Sequence, residues 1–244
     1  MRFVLSMGLV ITAFALGTAA AAPAYGPRDL NGMWVLDQPP TAKIDPVSVP
    51  LTRAAKDQAN QIARNQSAGH LLSEGHIRCL PDGMPHMMAA PFGIEFLQTK
   101  NRITILAEIS VLPRTIFLDR GSHTRDLDPS WNGESIGTWE SDVLTVDTIG
   151  FNDRYANLFN ANVAALRTPA LHITEKIKLT DSGAYMLDVM TLDDPNVFAH
   201  PFTVTYRYRR LPETDGPIEY VCEVERAQLD ALEDQQHTAP SKSK

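Results

Sequence analysis

Leu171-His172-Ile173-Thr174-Glu175-Lys176-Ile177 places a histidine and a carboxylate three residues apart in a run rich in β-branched residues. Side chains alternate faces along a strand, so His172, Thr174 and Lys176 point one way and Glu175 points with Leu171, Ile173 and Ile177. A carboxylate on an apolar face is desolvated, which raises its pKa toward the range of general acid–base chemistry. The same placement also suits a structural ion pair with an inward arginine, Arg114 or Arg207. His-x-x-Glu is a metal spacing on a helix, but on a strand the two side chains diverge, and no metal is expected here. Asp147 shares its face with Val143, Thr145 and Ile149, and Asp188 shares its own with Met186, Met190 and Leu192. Each is a candidate buried carboxylate, and two such groups close together would drive their pKa values apart.

Other residues offer binding rather than proton transfer. Arg114 suits an anionic group, Phe96 and Trp131 offer flat apolar walls, and His123 is a proton carrier near neutral pH or a solvated loop side chain. Tyr206 and Tyr208 alternate with Arg207 and Arg209, so one face of that segment carries phenols and the other guanidinium groups. Met84, Met87 and Met88 around His86 carry donors that suit copper, or they pack. No glycine-rich phosphate loop, nucleophile elbow or dinucleotide fingerprint occurs, and no cofactor is expected.

These residues must be positioned by short strands. Leu30–Leu36 reads as the first, ended by Pro39-Pro40. Leu51–Arg64 reads as one helix, with Thr52 as cap and Leu51, Ala55, Ala59, Ile62 and Ala63 on one face. From Ile94 the strands are Ile94–Thr99, Arg102–Ile109, Arg114–Leu118, Ser135–Glu140, Val143–Thr148, Leu171–Thr180, Tyr185–Leu192, Phe202–Arg209 and Ile218–Cys222. Lys100-Asn101, Ser141-Asp142 and Asp181-Ser182-Gly183 are hairpin-type connections. Such a series makes an antiparallel up-and-down meander that closes into a barrel. Asp119–Glu134 and Phe151–Pro169 are the long loops at its mouth, and Trp131 in the first suits a lid or a platform for a flat ligand.

The ends and the composition set the compartment. Arg2, the apolar run Val4–Leu16 and the small residues Ala19–Ala22 form a secretory leader over residues 1–21, too short to span a bilayer. The mature chain then begins near Ala22 or Ala24 as one domain over 22–234, with a polar, disordered tail over 235–244. A hydrophobic content of 43% with 21% charged residues describes a globular protein. The net charge of -7 becomes -8 on losing Arg2, which argues against nucleic acid or an anionic membrane as partner. No second apolar stretch is long enough for membrane insertion. Cys79 and Cys222 are an even pair in an oxidising compartment, which suggests a disulfide; two separate buried thiols are the other reading.

Gly32-Met33-Trp34 resembles the Gly-x-Trp signature of lipocalin-type barrels, in which the indole packs across the closed end beneath an arginine of a late strand. That resemblance implies Arg207 or Arg209 in this part. Cys79–Pro85, Phe92–Phe96 with Gln98, Gly137–Thr148 and Tyr220–Glu223 together resemble a large family of exported bacterial proteins without an agreed function. The family resemblance places the Met84–Met88 loop near the core. Lipocalin-like barrels include ligand carriers as well as cofactor-free lyases acting on hydrophobic substrates, so two activities are expected. One is a periplasmic lyase, a decarboxylase or dehydratase of a small aromatic acid, with Glu175, His172 and Asp147 moving protons and Arg114, Trp131, Phe96, Tyr206 and His123 holding substrate. The other is a carrier of a small hydrophobic molecule without chemistry. Nothing in the residues sets an oligomeric state.

Overall fold

The computed structural model describes residues 25–38, 48–67, 80–81, 83–110, 112–153, 166–212 and 215–219. The expected leader over 1–21, Cys79, Cys222 and the expected tail over 235–244 lie outside these residues. The strands are β1 (Gly32–Gln38), β2 (Ile94–Gln98), β3 (Arg102–Ala107), β4 (Arg114–Phe117), β5 (Glu134–Glu140), β6 (Val143–Ile149), β7 (His172–Thr180), β8 (Tyr185–Asp193) and β9 (Phe202–Arg210). They follow one another in chain order around a closed barrel, with β9 paired back onto β1. The fold is mainly β; the described residues also form a long helix, α1 (Arg53–Ser67), and a short helical turn, α2 (His86–Ala89). Thr52 caps α1 through its Oγ1, which accepts from the Ala55 amide at 3.2 Å. Ala55 is buried, Ala59 and Ile62 are half-buried, and Ala63 is exposed. Residues 218–219, expected to open a last strand, have no strand pairing.

Period-two alternation sets which side chains face inward. Ile103, Ile105 and Ala107 of β3, Leu144 and Val146 of β6, Ile173 and Ile177 of β7, and Met186 and Met190 of β8 all lie in the core. Ser141, at φ 54°, turns the β5–β6 hairpin, and Asp181, Ser182 and Gly183 are all left-handed between β7 and β8. At Gly183 a Cβ would also meet that of Tyr25 at 2.7 Å, so only glycine fits. At the closed end Trp34 is fully buried, and its indole N–H donates to the Leu30 carbonyl at 2.9 Å. The arginine above it is Arg210, 4.1 Å from the ring centroid, rather than Arg207 or Arg209. Arg210 donates to the carbonyls of Gly183, Asn31 and Asp29, tying three chain segments across that end. Arg207 and Arg209 face outward, where both meet Asp37.

One junction departs from the antiparallel meander. β4 and β5 run parallel, joined through only two register pairs, Ile116↔Ser135 and Phe117↔Ile136. A parallel neighbour needs a connection that carries the chain back along the strand, typically a dozen residues or more. Residues 118–133 are that connection.

Candidate functional site

Inside the barrel the side chains from β4 to β9 meet in a sealed polar cluster. Arg114 on β4 donates to both oxygens of Glu175 on β7, from Nη1 to Oε1 at 2.8 Å and from Nη2 to Oε2. Its Nε donates to Ser135 Oγ and its Nη2 to Thr148 Oγ1, each at 3.2 Å. Burial works against the Arg114 charge, yet the facing carboxylate outweighs it and holds the guanidinium protonated. Asp188 on β8 lies in the same cluster with no donor facing either oxygen. Desolvation, reinforced by the negative charge of Glu175, pushes its carboxyl well above the ordinary range. With neither oxygen partnered and the Glu175 charge nearby, Asp188 is held as the protonated carboxyl of the cluster. Tyr206, cross-strand neighbour of Asp188, has an unpartnered hydroxyl, and burial raises its pKa and that of Tyr208. Tyr208 Oη donates to the Met88 carbonyl at 2.6 Å.

This cluster is closed to guests. Glu175, Asp188, Tyr206, Phe96, Ile105 and Met190 are each 0% accessible. A side chain with no accessible surface borders no void able to hold a water molecule. Met84, Met87 and Met88 are equally buried and belong to the core.

A second polar assembly lies on the outer surface. His172 Nε2 meets Asp147 Oδ1 at 2.6 Å, and Asp147 Oδ2 meets His123 Nε2 at 2.8 Å. His123 Nδ1 in turn meets Glu134 Oε2 at 3.0 Å. Glu134 also accepts from the Thr124 amide, the Thr124 hydroxyl and Arg120, at 2.8, 2.7 and 2.5 Å. Partial burial works against both charged carboxylates, but the donors prevail and hold Glu134 and Asp147 below the usual carboxylate range. Asp147 is thus not a carboxylate of the barrel interior. Leu144, Val146 and Thr148 take the inward positions of β6, which turns Asp147 outward.

The residues proposed for catalysis are consequently not brought together. Glu175 is inside, while His172 and Asp147 are bonded to each other outside. Of the residues proposed to hold substrate, Arg114, Phe96 and Tyr206 are sealed in the interior, and His123 belongs to the outer chain. Trp131 lines an open cleft of about 410 Å³ on the outer face of the β4–β5 seam. Leu112, Phe117 and Leu127 supply more of its apolar wall, and Arg120 and Glu134 supply a charged edge. The seam opens because a ladder of two register pairs holds β4 to β5 while residues 118–133 arch over it. Arg120 sits over the Phe117 ring, its Cζ 3.4 Å from the centroid.

Arg167 fixes the back of the Trp131 segment. Its Nη1 donates to the carbonyls of Trp131 at 2.6 Å and Met84 at 2.7 Å, and its Nη2 to Asn152 Oδ1 at 2.8 Å. Burial lowers its pKa to about 10. Sequence reasoning missed Arg167, which lies on no strand and carries no periodic signal. It also missed Arg210, which does carry one: it has the parity of Phe202, Val204, Tyr206 and Tyr208, the inward positions of β9.

No sequence family and no curated protein matches the chain. Among solved structures, one of similar outline is described as a "secretary abundant heat soluble (SAHS) protein" from Ramazzottius varieornatus. It is 10% identical, covers 78% of this chain and 100% of its own, and superposes with a TM-score of 0.35. The barrel is defined by its own strand pairing. One of its ends is closed by the buried Trp34 beneath Arg210.

Proposed function

We propose that this chain is an exported, periplasmic binding protein for a small, flat, hydrophobic molecule, with its ligand seat in the outer cleft at the β4–β5 seam. The observation that carries the reading is the pairing of that cleft with an interior cluster whose described side chains have no accessible surface. A volume of about 410 Å³ lies within the range of small-molecule sites, and its wall is mostly apolar with a few polar groups at one edge. The leader-like residues 1–21 support export.

A lyase acting on an aromatic acid has one observation in its favour, the convergence of Arg114, Glu175, Asp188 and Tyr206. Against it, proton transfer requires contact between Glu175 and a substrate atom, and Glu175 has no accessible surface. His172 and Asp147 lie on the other side of the barrel wall. Binding without chemistry asks for no such opening.

The test is titration with N-phenylnaphthylamine, a neutral fluorescent probe, alongside native mass spectrometry of protein taken from its own periplasm. Trp131→Ala should weaken the probe about tenfold, as the loss of one aromatic platform of ~1.4 kcal/mol implies. Unchanged affinity in Trp131→Ala, with loss of binding on substituting Tyr206, would move the seat into the barrel and overturn the proposal.

A further inference from the structure

Thr124 and Arg120 on Glu134 and Arg167 on Trp131 help hold the cleft wall to the barrel, and a bridging imidazole ties it to two strands at once. Residues 118–133 provide Arg120, Leu127, Ser130 and Trp131 to the cleft, and His123 lies in the same segment. One ring nitrogen of His123 faces Glu134 at the start of β5, and the other faces Asp147 in the middle of β6. Both partners are ionised carboxylates, which accept hydrogen bonds and have none to donate. Glu134 already takes two bonds from Thr124 and one from Arg120, and Asp147 takes one from His172. Both bonds of His123 therefore require a proton on each ring nitrogen. A neutral imidazole donates from one nitrogen only and must give up its own bond to either Glu134 or Asp147.

We infer that His123 is a proton-operated clasp, which as an imidazolium holds the 118–133 wall against β5 and β6 and as a neutral ring lets that wall loosen from the cleft. This rests on the reading of the cleft as the ligand seat, and it makes ligand retention depend on pH. The other charged groups on its own segment are Asp119, Arg120, Arg125, Asp126 and Asp128; on the strands are its partners Glu134 of β5 and Asp147 of β6, with His172 and Lys176 of β7 and Asp193 of β8, the cross-strand partner of His172. Both carboxylates stay ionised to below their usual range, so the clasp survives mild acid. It fails when His123 carries only one ring proton, because one of its two bonds then has no donor.

Hydrogen exchange of residues 118–133, corrected for the intrinsic effect of pH, reads the clasp without any ligand. Protection should fall at least about fivefold between about pH 5.5 and about pH 8.5 in the wild-type protein. His123→Gln should show low protection at both pH values and no step, whereas His172→Gln should keep the step. Nitrogen-15 NMR of the unaltered protein gives a check that needs no variant: both His123 nitrogens should be protonated at about pH 5.5. A wild-type wall that does not respond to pH, a step that persists in His123→Gln, or a singly protonated His123 at the acidic end would each overturn the clasp. N-phenylnaphthylamine binding separates this inference from the one beneath it. A wall step without probe binding at either pH would support the clasp and defeat the ligand seat; probe release at high pH with an unchanged wall would defeat the clasp alone.

Discussion

Glu175 and Asp147 lie one residue apart in register on neighbouring strands, since Val146 pairs with Glu175 and Asp147 with Thr174. One faces into the barrel and the other faces out, and that single alternation gives them different fates. Glu175 has lost its water and depends on Arg114, with Ser135 and Thr148 completing the guanidinium's bonds. Asp147 keeps 44% of its side chain exposed and is held by two histidines. The inner cluster buys a defined, sealed interior at a cost in desolvation, whereas the outer chain contributes little to stability and leaves its protons within reach of solvent. Chemistry-bearing residues on a barrel wall therefore separate into a fixed inner set and a responsive outer one.

The largest effect expected from this contrast is at Glu175. Glu175→Gln leaves Arg114 as an uncompensated buried cation and should destabilise the protein by about 3–5 kcal/mol, read by urea unfolding. The double replacement Arg114→Met with Glu175→Leu should recover most of that loss, because the two charges leave together. Full-cost additivity in the double variant would mean that the pair is not coupled as described.

Asp188 should behave in the opposite way. Its raised pKa means that the folded state binds a proton more tightly than the unfolded chain, so its contribution is complete at low pH and is lost as pH rises through the elevated value. Asp188→Asn mimics the protonated carboxyl. It should leave stability at neutral pH unchanged or raise it by about 1 kcal/mol, while flattening the decline toward alkaline pH. A clear destabilisation at pH 7 would show that the carboxylate, not the carboxylic acid, belongs in the native cluster.

The smallest effect should come from outside. Asp147→Asn should cost less than about 1 kcal/mol, because solvent screens an exposed pair. Glu134 and Asp147 are held low, so their contribution is present above the ordinary carboxylate range and is lost as pH falls through the lowered values, the reverse of Asp188. A cost at Asp147 that matches the one at Glu175 would erase the distinction between the two faces.

Much of the architecture was legible in the sequence because alternation over β3, β6, β7, β8 and β9 is unbroken, and the same parity placed Glu175 and Asp188 inside. The parallel β4–β5 seam was less visible, although a connection the length of 119–134 exceeds what a hairpin needs. The cleft follows from that seam and was not legible, since Trp131 reads from the sequence as a lid or platform at the barrel mouth. His123 was recognised as a proton carrier, but its partners come from β5 and β6, and strand parity alone does not tell how a loop lies over a sheet. The arginine above Trp34 was misassigned to Arg207 or Arg209, when the inward phenols pointed to Arg210.

The most direct test is to find where a guest sits. A crystal of the protein grown with N-phenylnaphthylamine should show the probe outside the sheet, against Trp131 and Phe117 and beside Arg120. Density for it among Phe96, Tyr206 and Asp188, within the barrel, would contradict the account.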